Sequence, residues 1–186
     1  CRNKPVKALF LNDLVSEFEE CVLKKISGQE SLQIHPFFGD IEAMDLPQDI
    51  SLVVSGATFQ WLADLPAFLL RLSDELASGS YIAFSLFGPG TLQEFSELTG
   101  VGLNYRSDRE VCSLLERDFI LEKQNSFQEQ LYFSSVREIL THIRATGVGG
   151  VSEYRWNREA LSAFETSYQQ RYGTEEGVPV SYSCSC

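Results

Sequence analysis

The sequence predicts an α/β fold: a doubly wound, mostly parallel sheet with helices on both faces and a reversed strand at its C-terminal end, in one domain spanning residues 1–186. Three observations carry that expectation. Short apolar runs alternate with amphipathic stretches through the first half in the order strand, helix, strand, loop, strand, helix, strand, which right-handed crossovers close into a parallel sheet. The run 50–55 is almost wholly apolar, as a strand covered on both faces must be. After residue 118 the pattern changes to short strand-like runs, two helices and a final alternating strand, which suits an antiparallel edge on a mostly parallel sheet. With 186 residues and 44% hydrophobic content, the chain is long enough for one well-buried core.

Residues 6–11 form an apolar run ending in Asn12-Asp13, and 14–26 carry apolar residues at Leu14, Phe18, Cys21, Val22 and Ile26, which reads as strand followed by helix. A turn at 27–30 precedes a second strand, 32–38, that ends at Gly39-Asp40-Ile41-Glu42. A helix over 64–77 places Leu65, Phe68, Leu69, Leu72 and Leu76 on one stripe, with Pro66 in its first turn and Gly79 just past its end. The strand 81–87 stops at Gly88-Pro89-Gly90. Runs 119–123 and 128–133 are strand-like and joined by a polar turn. Helices follow over 136–145 and 158–172, the second with Asn157 as N-cap, and 178–185 alternates as a last strand.

No window approaches ~18 uninterrupted apolar residues, so a membrane span is not expected. A formal net charge of -11 argues against nucleic acid, whose phosphates are bound by clustered Lys and Arg. The five cysteines include no C-x-x-C pair, and His35 and His142 lie far apart, so neither zinc nor any other metal site is expected. Cys184-Ser185-Cys186 reads as alternate residues of a terminal strand, with a soft-metal pair as the alternative. Scattered thiols in a chain of this size fit a cytoplasmic location.

In an open parallel sheet, ligands bind beyond the carboxyl ends of the strands. Two consecutive strands end in Asp13 and Asp40. One carboxylate can accept both hydroxyls of a ribose and the other the amino group of an adenine, which together make a nucleoside cradle. The alternative is that Asp13 caps its helix and Asp40 sits in a turn, both ordinary work for Asp.

Three segments, Gly39-Asp40-Ile41-Glu42, Ser55-Gly56-Ala57-Thr58-Phe59-Gln60-Trp61 and Phe87-Gly88-Pro89-Gly90-Thr91-Leu92, stand in the order and approximate spacing of a known family. Tyr154-Arg155-Trp156-Asn157-Arg158 and Val178-Pro179-Val180-Ser181-Tyr182 extend the match. The chain resembles the malonyl-acyl-carrier-protein O-methyltransferases of biotin synthesis from about Leu11 to Tyr182, most in the middle and least across 99–118.

That resemblance implies a Rossmann-like class I methyltransferase sheet and S-adenosyl-L-methionine as cofactor. Asp13 would hold the ribose, Asp40 with the Ile41 backbone the adenine, and Ser55, Gln60 and Trp61 would line the methionine end. Trp61 is either a lid over the donor or a core anchor. Arg155 and Arg158 are candidates to receive the malonyl carboxylate, and Gly88-Pro89-Gly90-Thr91 is either part of the acceptor entrance or a plain turn. No catalytic side chain is implied, because the acceptor carboxylate needs no general base. The implied partner is malonyl-loaded acyl carrier protein. Such carriers are themselves acidic, so Arg137, Arg144, Arg155, Arg158 and Arg171 mark the expected docking segment.

The family's first strand and glycine-rich loop do not precede Asp13, and Gly147, Gly149 and Gly150 do not stand in for them. The sheet is therefore expected to be incomplete at its N-terminus, compensated by a homodimer or a partner chain. A non-catalytic methyltransferase-like binding module and a methyltransferase for another small acid are the competing expectations.

Overall fold

The computed structural model describes residues 6–26, 32–102, 104–146 and 156–186. Gly147, Gly149, Gly150, Tyr154 and Arg155 lie outside them. The chain forms two compact units, Cys1–Leu52 with Leu62–Tyr81, and Val53–Trp61 with Ile82–Cys186.

In the first unit, β1 (Ala8–Leu11) pairs in parallel with β2 (Gln33–Pro36), and the rings of the register pair Phe10 and His35 stack at 4.9 Å. A single 3-10 turn, Ser16–Phe18, leads into α1 (Glu19–Ile26). Helix α2 (Leu65–Glu75) begins where Asp64 accepts a hydrogen bond from the Ala67 N–H, with Pro in its first turn. It buries Leu65, Phe68, Leu69 and Leu72, the stripe that helical spacing predicts.

The second unit is built on a four-stranded sheet in the order β3 (Leu52–Gly56), β4 (Tyr81–Phe87), β6 (Val178–Ser185), β5 (Ser126–Phe133). The last strand is reversed, as expected: β6 runs antiparallel to β4 and, over its whole length, to β5. Helices α3 (Gln93–Thr99), α4 (Asp108–Leu115), α5 (Val136–Thr146) and α6 (Arg158–Tyr172) complete it, and Asn157 caps α6 by accepting from the Ala160 N–H at 2.7 Å. Its core joins Phe95, Ile139, Ile143, Phe164, Tyr168, Val178 and Val180. At the centre the Tyr168 hydroxyl donates to the Pro179 carbonyl at 2.7 Å.

The segment after β4 is stitched to β6. The Gly88 N–H donates to the Ser183 carbonyl (2.8 Å) and the Leu92 N–H to the Ser181 carbonyl (2.7 Å). The Thr91 hydroxyl both donates to and accepts from the Ser183 backbone, each at 3.0 Å. Buried Glu94 accepts from the Ser181 N–H and hydroxyl. These bonds hold Leu92 at a φ of 54°, a conformation that an L residue with a branched side chain adopts only under such constraint.

Four expectations need correction. Residues 119–123 are turn and loop rather than strand, and Ile120 is 92% exposed. β5 takes its antiparallel partner from β6, leaving the 119–123 run with no strand to pair with among the described residues. β3 is not covered on both faces: it stands at the end of the sheet order, with Leu52 48% and Val54 72% exposed. The helix expected over 14–26 starts later, because Leu14 and Phe18 are exposed and supply no packing to extend it. Helices α3 and α4 were not anticipated, although Ser107 and Glu110 form a reciprocal capping box, a signal present in the sequence.

Among the described residues no helix is long and apolar enough to cross a membrane, no group of three or more His, Cys, Asp or Glu could hold a metal ion, and Cys21, Cys112, Cys184 and Cys186 are free thiols.

Tyr168→Phe strands the buried Pro179 carbonyl and lowers stability by about 1–2 kcal/mol, measurable by urea unfolding. Burial is the main cause that pushes the Tyr105 and Tyr172 hydroxyls up to about 12. The unfolded chain releases these protons from about pH 10. The two tyrosines therefore support the fold fully below pH 10, and that support is lost as pH rises toward 12. Thermal melts at pH 8 and 9 should coincide in this respect, with a fall by pH 11.

Candidate functional site

The tips of β1 and β2 are tied together beyond the strands. The Phe37 N–H donates to the Leu11 carbonyl (3.0 Å) and the Gly39 N–H to the Asp13 carbonyl (2.9 Å). The Asn12 amide donates to the carbonyls of Phe37 (3.0 Å) and Gly39 (3.1 Å). Gly39 has a φ of 145°, a backbone conformation that residues with a side chain rarely adopt, so the turn into Asp40 favours glycine. Asp13 and Asp40 thus leave adjacent parallel strand tips, and both are exposed.

Each Asp also does the local work that the plainer reading assigned to it. Asp13 Oδ1 accepts from the Val15 N–H and Asp40 Oδ1 from the Glu42 N–H, both at 2.9 Å. One oxygen of each carboxylate fixes its own turn and thereby orients the other. Two residues that sequence reasoning passed over fix the segment after Asp40. Arg71 donates to the carbonyls of Ile41 (2.7 Å) and Glu42 (3.0 Å), while the Glu42 carboxylate accepts from the Ala63 and Asp64 N–H groups, both at 2.8 Å. Glu42 was visible beside Asp40. The role of Arg71 depends on a contact 30 residues away and had no local signal.

In the second unit, Ser55 lies in β3 and Gln60 in a 3-10 turn, Phe59–Trp61. Ser55 Oγ and both polar atoms of the Gln60 amide are buried without a hydrogen-bond partner among the described residues. A buried polar group left unpaired costs about 1–3 kcal/mol, so such groups mark places where a ligand can complete the bonding. The three atoms belong to two of the residues singled out for the cofactor's methionine end, whose ammonium and carboxylate suit a hydroxyl and an amide. Trp61 is 46% exposed, whereas Phe59 is buried and packs its ring 5.2 Å from Phe84.

Arg158 opens α6 and is exposed, while Arg155 lies outside the described residues. The Gly88-Pro89-Gly90-Thr91 turn has the structural duty of joining β4 to β6, which accounts for it without a ligand.

Solved structures share this architecture. A Bacillus halodurans C-125 protein assigned as a methyltransferase matches 97% of this chain and 80% of its own, with a TM-score of 0.64 at 16% identity. The YcgJ protein of Bacillus subtilis matches 97% of this chain and 80% of its own, with a TM-score of 0.61 at 11% identity. The shared fold is the Rossmann-like one of the class I methyltransferase type.

No model of a protein family matches the chain. Among curated proteins, the malonyl-[acyl-carrier protein] O-methyltransferase of Chlorobium phaeovibrioides is 39% identical over 96% of this chain and 69% of its own length. Those of Chlorobium luteolum and Prosthecochloris aestuarii are 35% and 34% identical, over 92% and 93% of this chain. The chain belongs to the malonyl-[acyl-carrier protein] O-methyltransferase family, and it spans 66% and 65% of the length of the latter two relatives.

Glu42→Ala removes the acceptor for the Ala63 and Asp64 N–H groups and should cost about 1–2 kcal/mol. Hydrogen exchange of those two amides should accelerate accordingly, while exchange in the β5–β6 ladder stays unchanged.

Proposed function

We propose that this chain is the donor-binding body of an S-adenosyl-L-methionine-dependent O-methyltransferase that esterifies the free carboxylate of malonyl-acyl carrier protein in biotin biosynthesis. The observation that carries the reading is the placement of Asp13 and Asp40 on neighbouring, hydrogen-bonded strand tips. Asp13 holds the ribose hydroxyls, and Asp40 with the Ile41 backbone holds the adenine. In the second unit, Ser55 Oγ and the Gln60 amide, buried without a hydrogen-bond partner among the described residues, are the groups that the family resemblance assigns to the methionine end, with Trp61 next to them in sequence. Bound there, the cofactor supplies an activated methyl group.

The acceptor is a carboxylic acid with a pKa of ~4 and is already ionised at neutral pH, so no proton has to be removed before it attacks. The chain's contribution is alignment and exclusion of water around opposite charges.

A second reading, a binding module without activity, draws on one feature: β3 ends the sheet order with Leu52 and Val54 exposed, an edge suited to pairing with another strand.

Titration with S-adenosylhomocysteine separates the two. Saturable heat is expected, and Asp13→Ala or Asp40→Ala should weaken binding by about tenfold or more, since a hydrogen bond to a charged group contributes ~1.5–3 kcal/mol. No heat from the unaltered protein would end the enzyme reading. Offering malonyl-acyl carrier protein and free malonate side by side, with the methyl ester detected by mass, identifies the acceptor.

A further inference from the structure

The chain carries a formal charge of -11, yet its last third is rich in arginine. Two of those arginines have partners: Arg137 pairs with Glu165 and Arg171 with Glu97, both at 2.5 Å. Arg144 and Arg158 are exposed and form no ion pair among the described residues.

The packing of α5 on α6 brings these two together. Arg137, in the first turn of α5, meets Glu165 in the middle of α6, and Ser134 and Ser135, just before α5, share a recess with Gln169 and Gln170 farther along α6. Early positions of α5 therefore face late positions of α6, and the helices run antiparallel. Arg144 lies seven residues after Arg137, and Arg158 seven before Glu165. Seven residues are two turns that return to the same helix face within about 20°. The Arg137–Glu165 contact thus fixes where Arg144 and Arg158 stand: on the same rim, at the opposite end of the helix pair.

Helix stability does not explain the second of them. A cation in the last turn is favourable, which suits Arg144, but Arg158 sits at the first position of a fifteen-residue helix, against the positive end of its dipole. A positive charge opposed by its own helix, with a second arginine on the same rim, is relieved by an anion from outside.

We propose that Arg144 and Arg158 form a docking surface for an acidic protein partner. For the partner's identity this rests on the function proposed above, which makes it the acyl carrier protein that presents the malonyl group. Charge complementarity over so small a patch sets orientation and encounter rate, and it offsets the repulsion between two acidic molecules.

The test is binding of fluorescently labelled malonyl-acyl carrier protein to the full-length protein, followed by anisotropy at low and high salt. Arg144→Glu with Arg158→Glu should weaken binding at least about tenfold at low salt and flatten its salt dependence, with unchanged affinity for S-adenosylhomocysteine and an unchanged near-ultraviolet circular dichroism spectrum. Arg171→Glu, remote in the fold and paired with Glu97, should change binding less than about twofold. Arg144→Gln with Arg158→Gln, should the reversal disturb folding, is expected to show the same loss to a smaller degree, and reversing carrier carboxylates should restore binding to the Glu variant. Carrier binding indifferent to all these changes overturns the docking surface and leaves the function standing. A protein that neither binds nor methylates the carrier overturns both.

Discussion

The site depends on a backbone hydrogen bond, from the Gly39 N–H to the Asp13 carbonyl, made after both strands have ended. A parallel pair usually frays at its carboxyl tips, where the chains turn away toward their helices. Here the ladder continues for two more bonds, and the Asn12 amide spans both turns. The two carboxylates therefore leave the sheet from a fixed base, with the spacing of neighbouring strands rather than that of two independent loops. Polar groups placed in advance of the ligand spare it the cost of ordering them.

The same economy appears on the far side of Asp40. Ile41 is held by its carbonyl, through Arg71, and Glu42 closes the start of α2. The segment that would read an adenine is thus clamped by a helix whose apolar face is buried, so disturbance of α2 should be felt at the turn.

In the second unit β6 is the organising element. It pairs with β4 and β5, receives the 88–94 segment through Thr91 and Glu94, and buries Val178, Val180 and Tyr182 in the core. The buried Glu94 is tolerated because both carboxylate oxygens accept from Ser181. Ser55 Oγ and the Gln60 amide contrast with it, buried without a hydrogen-bond partner among the described residues.

The sequence by itself determined the order of elements through β4, the α2 stripe, the reversed last strand and the two acidic strand ends, because periodicity, Pro, Gly and Asp act within a few residues of where they stand. It also carried the family resemblance through short motifs in register. Tertiary structure alone decided that, among the described residues, 119–123 pairs with no strand, β3 ends its sheet, Phe59 is buried while Trp61 stays half exposed, and Arg137 and Arg171 find carboxylate partners. Each of these depends on neighbours far away in the chain. A side chain's burial and its ion-pair partner are set by what folds against it, which local pattern cannot encode.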